Sequence, residues 1–376
     1  MSEREHASVP IAPPPRVFHV ALQPTTLCNL DCRYCYLPLR KSTRTMPVAV
    51  AESVAAALVN AGGPIRLVWH SGEPLACGVE HFRSLIAPFG PRTEGVLSHS
   101  LQTNATLLSE PWCDLFDEYG IEVGISIDGT PAMNVDRRDW SGKSVDARVT
   151  RGANLLHRRR IPFAIISVVT RDRLDEAEAL YKFACELGCT ILCINIEETE
   201  GVNVASRLPQ DAIRHFWRDL YDSWAKNPVI PIREFDRPLR LMLDVCDSDS
   251  LPPPVSMEMF PCVAVDGSVV FLSPELVDSA PQLIAGNVLE TPLFEIVARA
   301  RSLSYVSDYQ VGLHRCRDTC QYFSVCGGGA ASNRYFEQGR FDISETECCR
   351  NRLKSAVDVL LDRLTTSREA TNAETV

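Results

Sequence analysis

Three cysteines stand close together near the start of the chain, in the stretch TLCNLDCRYCYLP at residues 26–38. Cys28, Cys32 and Cys35 have the spacing C-x3-C-x2-C. Disulfides use cysteines in pairs, and a zinc site normally takes four ligands. A [4Fe–4S] cluster also normally has four thiolate ligands, so three thiolates would leave one iron open to a small molecule. The stretch therefore predicts an iron–sulfur site with an open iron; a zinc site completed by a distant ligand is the alternative.

The composition is that of a globular protein, and it narrows the classes to which the chain can belong. Of the 376 residues, 45% are hydrophobic and 23% are charged. No apolar run approaches the roughly 20 residues that cross a bilayer, and the polar, proline-rich start has no signal-peptide layout. The net charge of −10 and the lack of a dense Lys/Arg stretch argue against nucleic-acid binding. We expect a cytoplasmic protein with no nucleic-acid or membrane partner, whose clustered cysteines bind metal rather than form disulfides.

Segments that alternate between strand and helix fill residues 15–205 and must position the first cysteine group. Strands are predicted at 17–23, 65–70, 96–103, 122–127, 163–170 and 190–196. Helices are predicted at 47–60, 79–88, 108–119, 145–158 and 174–187. Such alternation predicts parallel strands joined by helical crossovers, in either a doubly wound sheet or a barrel.

The unusual polar segments of this half each follow a predicted strand. In parallel α/β folds, functional groups collect at the carboxyl ends of the strands. We therefore expect the cysteines after the first strand and the later polar segments to lie together at one site, at the carboxyl ends of the strands. The later segments are SGEP at 71–74, QTN at 102–104, Ser126, Asp128, Asn195 and Glu197.

The second half has a different pattern of predicted elements and contains a second cysteine group. Two amphipathic stretches at 208–246 predict helices, and the proline-rich run at 251–255 marks a boundary. Short strands follow from about residue 260, with a hairpin turn at Asp266-Gly267. A last helix is predicted at 351–364, before a disordered tail. Four thiolates form a closed site that is structural or transfers electrons, with tetrahedral zinc as the alternative; the candidates are Cys316, Cys320, Cys326, Cys348 and Cys349.

The first cysteine group resembles a known signature. The pattern C-x3-C-x-aromatic-C, formed by the three cysteines and Tyr34, is similar to that of the radical S-adenosylmethionine (SAM) enzymes. The resemblance implies that the open iron binds the amino and carboxylate groups of SAM. It also implies that the reduced cluster cleaves SAM to methionine and a 5′-deoxyadenosyl radical, which takes a hydrogen atom from the substrate.

Further stretches carry the same resemblance. WHSGEPL resembles the segment that contacts the SAM amino group, with Ser71 in place of a glycine, and LQTNATLL resembles a segment beside SAM. SIDG and the later Arg138 resemble the Ser and Arg that hold the SAM ribose and carboxylate. The residues expected to bind SAM are Tyr34, Gly72, Glu73, Pro74, Gln102, Asn104, Ser126, Asp128, Arg138 and Asn195.

The second cysteine group resembles the SPASM extension of peptide-modifying radical SAM enzymes. That extension usually has two auxiliary [4Fe–4S] clusters and the run C-x2-C-x5-C-x3-C. Here the first gap is three residues, Ala330 replaces the last cysteine, and Ser273 stands near an earlier cysteine position. The departures imply one auxiliary cluster, held by Cys316, Cys320, Cys326 and either Cys349 or Cys348.

The resemblance also implies the fold and its boundaries. The expected fold is a partial (β/α)6 radical SAM barrel, followed by a small SPASM-like α+β extension and a C-terminal helix. The expected segments are a disordered start at 1–15, the barrel at 16–205, a helical linker at 206–257, the extension at 258–350, and the last helix and tail at 351–376.

Three stretches resemble one subgroup, the maturases that form cyclophanes in ribosomally made precursor peptides. They are NIEETEGVN, FLSPEL and ISETECCR. The implied reaction links an aromatic ring to the β-carbon of a nearby residue and needs an external electron donor such as ferredoxin or flavodoxin. It also needs a base, for which Glu197, Glu198 and Glu275 are candidates. The alternatives are a thioether-forming or epimerising maturase, a sulfatase-activating enzyme that forms formylglycine, and, from a different class, a zinc-binding regulator.

Overall fold

The computed structural model describes residues 19–59, 63–205, 207–247, 257 and 259–374. The predicted disordered start at 1–15 and the proline-rich boundary at 251–255 lie outside these residues. Within the described ranges, no helix is both long enough and apolar enough to cross a membrane.

The first half forms a parallel α/β unit in which six strands lie side by side, in the order β6-β5-β4-β3-β2-β1. The strands are β1 (His19–Leu22), β2 (Ile65–Trp69), β3 (Leu97–Thr103), β4 (Ile121–Ser126), β5 (Phe163–Val169) and β6 (Ile191–Ile196). The helices are α1 (Val48–Leu58), α2 (Val79–Ile86), α3 (Glu110–Tyr119), α4 (Asp146–Arg159) and α5 (Ala177–Leu187). All these elements begin and end close to their predicted positions, and the predicted α/β fold is confirmed.

Along each strand, side chains alternate between a face that is buried in the core and a face that lines the site. Successive strand residues point to opposite faces, and in β4 Val123 and Ile125 are buried while Gly124 and Ser126 are half-buried. The buried side chains pack against the helices; on β2 and α2, the rings of Trp69 and Phe82 lie 4.9 Å apart. The opposite face is therefore left to line a cavity at the carboxyl ends of the strands.

The extension continues the same sheet. Strand β7 (Pro261–Val263) pairs in parallel with β1, and β8 (Ser268–Phe271) and β9 (Gly286–Asn287) follow as antiparallel neighbours. The turn at Asp266-Gly267 joins β7 to β8 as predicted, with Gly267 at φ +85°. The sheet is therefore open, with β6 and β9 at its edges, and the two halves of the chain share one sheet.

Helices make up the rest of the described chain. They are α6 (Gln210–Lys226), α7 (Arg233–Asp247), α8 (Leu293–Arg299), α9 (Ser304–Thr319), α10 (Phe323–Cys326), α11 (Ala331–Gln338) and, after a π-helical turn at Cys349–Lys354, α12 (Ser355–Glu374). The prediction of a disordered tail after residue 365 is wrong, because α12 continues to Glu374. Its last residues contain no glycine or proline that would end a helix.

Candidate functional site

The loop that carries Cys28, Cys32 and Cys35 follows β1 and is fixed by main-chain hydrogen bonds on two sides. The Cys28 amide donates to the Arg40 carbonyl at 2.9 Å, and the Asp31 amide donates to the Arg138 carbonyl at 2.7 Å. The Trp140 indole N–H donates to the Cys28 carbonyl at 2.8 Å. These contacts hold the loop through the protein's own groups.

The three cysteines line a cavity of about 230 Å³ at the carboxyl ends of the strands. The structure brings together in this cavity most of the residues predicted to bind SAM and all three candidate bases. From the prediction, the lining contains Tyr34, Gly72, Glu73, Gln102, Asn104, Ser126, Asn195, Glu197, Glu198 and Glu275. Pro74, Asp128 and Arg138 are described by the structure but do not line it.

The SGEP segment forms a tight turn against the cysteine loop. Ser71 and Gly72 both have positive φ, +75° and +60°. A Cβ on Gly72 would lie 2.7 Å from the carbonyl oxygens of Thr25 and Leu27, closer than any real contact. The turn therefore requires glycine at position 72, because backbone atoms occupy the space of a side chain.

Gly72→Ala is expected to displace this turn and lose SAM binding. We expect a loss of about 1–3 kcal/mol in the free energy of unfolding from overpacking, with a further contribution from the unfavourable φ. Urea unfolding and SAM binding by equilibrium dialysis measure the two effects. Gly78→Ala is the matched control, since Gly78 also has positive φ but has open space around its Cβ position; equal loss of SAM binding in both variants would contradict the role of the close approach.

Glu73 is buried, and its carboxylate bonds to two segments of the chain. Its carboxylate accepts hydrogen bonds from the amides of Leu75, at 3.1 Å, and Asn104, at 2.7 Å, and from the Thr103 hydroxyl at 2.6 Å. Burial raises the pKa of Glu73 to about 7, although these hydrogen bonds act in the opposite direction. Glu73 thus joins the end of β3 to the turn after β2.

The two amides predicted to lie beside SAM differ in their surroundings. Gln102 donates to the Ser126 hydroxyl at 2.8 Å, and Gly124 on the neighbouring strand leaves room for its side chain. The Asn104 side chain bonds instead to Asn29, at 2.9 Å, and accepts from Thr106. Gln102 and Ser126 therefore face the cavity as a pair, whereas the amide of Asn104 is engaged in holding the cysteine loop.

The arginine that reaches the cavity is Arg137, not the predicted Arg138. Arg137 lines the cavity, and its guanidinium lies 3.1 Å from the Asp128 carboxylate. The Tyr34 hydroxyl donates to the same carboxylate, and burial raises the pKa of the Tyr34 phenol well above its usual value. Arg138 is exposed and bonds to the carbonyls of Val135 and Gly142. The placement of Arg138 beside SAM is corrected accordingly, since neighbouring residues of this loop point in opposite directions.

A group of carboxylates occupies another part of the cavity lining. It contains the three predicted residues and Glu200, which sequence reasoning missed although it lies in the same NIEETEG stretch. Burial raises the pKa of Glu200 well above its usual value, and the nearby charges of Glu275 and Glu198 raise it further. Burial also raises the pKa of Glu197. The group can therefore hold and release a proton inside the cavity.

The five cysteines of the second group line a separate cavity of about 280 Å³. They lie on helices and turns: Cys316 is in the last turn of α9, Cys320 ends that helix, and Cys326 ends α10. Arg334 donates to the Cys316 sulfur at 3.2 Å, and the Gly328 amide donates to the Cys326 sulfur at 3.2 Å. Such donors stabilise thiolate charge, as expected around an iron–sulfur cluster.

The adjacent Cys348 and Cys349 have different neighbours. Cys349 interacts electrostatically with Lys354, Cys326 and Cys320, and burial raises its pKa to about 11. Cys348 interacts instead with Glu198 and Arg352, and its pKa is raised well above the usual value by burial. Cys349 therefore belongs to the group of Cys316, Cys320 and Cys326, whereas Cys348 lies toward the first cavity.

Direct hydrogen bonds join the linings of the two cavities. Arg352, in the second lining, donates to the Asn195 side chain at 3.2 Å. Asn333, also in the second lining, donates to the Glu198 carboxylate at 2.7 Å. The two cavities are therefore neighbours.

The donor sets suit iron–sulfur clusters. In the described ranges, no group of three or more His, Cys, Asp or Glu side chains is arranged to hold a metal ion. A cluster differs from a single ion because each thiolate binds a different iron, and a cavity lined by several free thiols offers that arrangement. Three cysteines line the first cavity and four with shared neighbours line the second, which fits an open and a closed cluster respectively.

Comparisons with known proteins agree with this site. The family model "Radical SAM superfamily" matches residues 22–184. The uncharacterized protein sll1766 of Synechocystis sp. strain PCC 6803 is 33% identical over 92% of this chain and 91% of its own length. The serine-type anaerobic sulfatase-maturating enzyme of Klebsiella aerogenes is 32% identical over 58% of this chain and 57% of its own length. The solved structure of anSMEcpe with bound AdoMet is 25% identical, with a TM-score of 0.76 over 93% of this chain and 98% of that one.

The anSMEcpe protein has also been solved with AdoMet and the Cp18Cys peptide bound, at 24% identity and a TM-score of 0.75 over 94% of this chain and 99% of that one. That likeness concerns the fold. Because the cysteine loop, the cavity at the strand ends and the family match coincide, this chain belongs to the radical SAM superfamily, whose members use a [4Fe–4S] cluster and SAM, and it is an enzyme related to the anaerobic sulfatase-maturating enzymes.

Proposed function

We propose that this enzyme oxidises a ribosomally made precursor peptide and forms a carbon–carbon crosslink, a cyclophane, between an aromatic ring and the β-carbon of a nearby residue. One observation carries the proposal: the cavity with three cysteines and the cavity with five are neighbours, and carboxylates lie where they meet. The existence of a peptide complex of the similar protein anSMEcpe supports a peptide substrate.

In this proposal Cys28, Cys32 and Cys35 hold the open cluster. Gln102, Ser126, Asn195, Arg137 and Tyr34 line the same cavity as the Gly72 turn and would hold the polar groups of SAM there. When bound, SAM and the two clusters supply a 5′-deoxyadenosyl radical and an electron acceptor. The low-potential electron comes from an external donor protein.

The carboxylates have a defined task in such a crosslink. Loss of a hydrogen atom from the β-carbon, followed by carbon–carbon bond formation to the ring, leaves one electron and one ring proton to be removed. Glu200, Glu198 and Glu275 line the cavity, and Glu200 interacts electrostatically with the other two, so that one of them can accept the proton. Glu197 is less buried than Glu200 and is the weaker candidate of those two.

Sulfatase activation is the second candidate, because curated relatives are sulfatase-maturating enzymes. That reaction also begins at a β-carbon and removes two electrons, but it ends in an aldehyde. The missing cysteines at Ser273 and Ala330 support a different use of the extension in this chain, with one auxiliary cluster instead of two.

Mass spectrometry of a precursor peptide, encoded beside the gene and treated anaerobically with enzyme, SAM and dithionite, tests the proposal. The peptide is expected to lose two hydrogen atoms for each crosslink, to resist fragmentation between the linked residues, and not to react with a hydrazide. A hydrazide-reactive product would indicate an aldehyde and favour sulfatase-type chemistry. An unchanged mass with deuterium taken up from solvent would indicate epimerisation.

The auxiliary cluster is proposed to use Cys349 and not Cys348 as its fourth ligand. Cys349→Ala is expected to lower the iron content of the reconstituted protein from about eight to about four per chain, since one [4Fe–4S] cluster holds four irons. Cys348→Ala is the matched control and should keep about eight. Iron analysis with electron paramagnetic resonance of the reduced protein measures both; the reverse order would assign the ligand to Cys348, and about twelve irons in the unsubstituted protein would contradict a single auxiliary cluster.

A further inference from the structure

A patch of exposed cationic and aromatic side chains lies on the outer side of the cysteine loop. It consists of Lys41, which follows that loop, and of Arg138, Trp140 and Lys143 on a short hairpin; we call these four residues the Trp140 patch. The hairpin is closed by a bridge between Arg138 and Ser144 and by the Asp139 amide, which donates to the Lys143 carbonyl at 3.0 Å. All four side chains are exposed, and Trp140 is 37% exposed.

The Trp140 patch is in direct contact with a residue proposed to bind the open cluster. The Trp140 indole donates to the carbonyl of Cys28 at 2.8 Å, so one hydrogen bond joins a surface ring to that cysteine. The Lys41 ammonium lies 4.4 Å from the centre of the Trp140 ring and stabilises it in place. The patch is thus the outer surface of the cysteine loop itself.

The charges around the patch are unbalanced in favour of cations. Three acidic side chains beside the loop are paired: Asp31 with Arg40 at 3.0 Å, Asp136 with Arg33 at 3.2 Å and Asp139 with Arg148 at 2.9 Å. Asp146, beside the hairpin, instead accepts hydrogen bonds from Ser144 and Asn134, and Asp172 shares Arg33 with Asp136. In contrast, Lys41, Arg138 and Lys143 make no ion pair with any residue that the structure describes. The chain has a net charge of −10, so this local excess of positive charge is opposite in sign to the net charge of the chain.

We propose that the Trp140 patch is the docking surface for an acidic electron carrier of low potential, of the flavodoxin kind. This inference rests on the proposed open cluster at Cys28, Cys32 and Cys35. The carrier is oxidised by one electron and the cluster is reduced by one electron, and no bond is formed or broken. Complementary charge accelerates encounter between such partners, and electron-transfer complexes use small interfaces. Lys41 against the exposed indole, with two further exposed cations on the same hairpin, matches those requirements.

The test measures the rate at which fully reduced flavodoxin reduces the reconstituted enzyme. The rate is read from the loss of the cluster's visible absorbance in an anaerobic stopped-flow instrument. The double variant Lys41→Glu with Lys143→Glu should react roughly 10-fold or more slowly at low ionic strength. Its rate should also lose most of its dependence on salt. The double variant with glutamine at both positions should fall between it and the unsubstituted enzyme.

The matched control reverses the charge of two other exposed lysines, in the double variant Lys182→Glu with Lys226→Glu. It has the same net charge as the first double variant, but its substitutions are on α5 and α6. At an ionic strength of about 0.1 M its reduction by flavodoxin should stay within about 2-fold of the unsubstituted rate, because charges more than about 10 Å from the docking surface are largely screened at that salt concentration. Equal slowing of both double variants, or no slowing of either, would overturn the proposal.

Dithionite separates this proposal from the proposed function. All variants should be reduced by dithionite at the same rate and should then release 5′-deoxyadenosine, because the patch touches neither SAM nor substrate. If dithionite reduces none of the proteins, the assignment of an open cluster to Cys28, Cys32 and Cys35 is wrong. If flavodoxin reduces the charge-reversed enzyme normally while the affinity for a precursor peptide falls, the patch binds the acidic part of the peptide and the docking proposal is overturned.

Discussion

Cys32→Ala is expected to reduce the release of 5′-deoxyadenosine from SAM to the level of a blank without enzyme. Among the residues that the structure describes, Cys32 is one of three cysteines that line the first cavity, and two thiolates do not retain a [4Fe–4S] cluster with an open iron. Iron should fall by about four per chain, while the second group keeps its own irons. The measurement is chromatography of the products from protein that has been anaerobically reconstituted and reduced with dithionite.

Cys113→Ala is the control for this loss. Cys113 is buried on α3 and does not line either cavity, so its removal costs packing but no cluster ligand. We expect full iron content and normal release of 5′-deoxyadenosine. If Cys32→Ala keeps its iron and still cleaves SAM, the three cysteines are not the ligands of the open cluster.

Arg137→Ala is expected to destabilise the protein and to abolish SAM cleavage, whereas Arg138→Ala should do neither. Arg137 and Asp128 form a buried ion pair, so removal of the arginine leaves an uncompensated carboxylate. Such a loss costs about 3–5 kcal/mol in the free energy of unfolding. Arg138 is exposed, and its removal should change that free energy by less than about 0.5 kcal/mol.

Anaerobic urea unfolding and dithionite-driven SAM cleavage measure these two effects. Should Arg137→Ala fail to fold, Arg137→Lys keeps the positive charge but loses the planar guanidinium, and it should fold with weaker SAM binding. A stable, active Arg137→Ala together with an inactive Arg138→Ala would restore the prediction made from the sequence and contradict the placement seen in the structure.

The sequence was informative where local patterns determine structure. The alternating strands and helices were placed because each is short, apolar and bounded by turns, and parallel topology follows from their order. The carboxyl ends of those strands then collect Gly72, Gln102, Ser126 and Asn195, because parallel strands all end at one edge.

The remaining features depend on contacts between distant parts of the chain. Whether Arg137 or Arg138 faces the cavity is decided by a loop held against Asp31 and Asp128, more than five residues away. The burial of Glu200 depends on residues of α11, and the pairing of β7 with β1 joins positions far apart in sequence. No local periodicity signals such contacts, and so these features were found only in the structure.

The adjacent cysteines at 348 and 349 illustrate the same limit. The sequence offered no reason to prefer one as a ligand, because consecutive residues carry the same side chain. In the structure they enter a π-helical turn, where consecutive side chains point in different directions. One side chain therefore faces the cysteine group and the other faces Glu198.

The most direct test of peptide crosslinking from a β-carbon follows one hydrogen atom. A precursor peptide deuterated at the β-carbons of the residues near its aromatic side chains would be treated with SAM and reduced enzyme. The proposal predicts deuterium in 5′-deoxyadenosine and one product molecule, lacking one deuterium and one ring hydrogen, for each molecule of deoxyadenosine formed. Deoxyadenosine without deuterium, formed alongside modified peptide, would show that the radical attacks another position and would contradict the proposed crosslink.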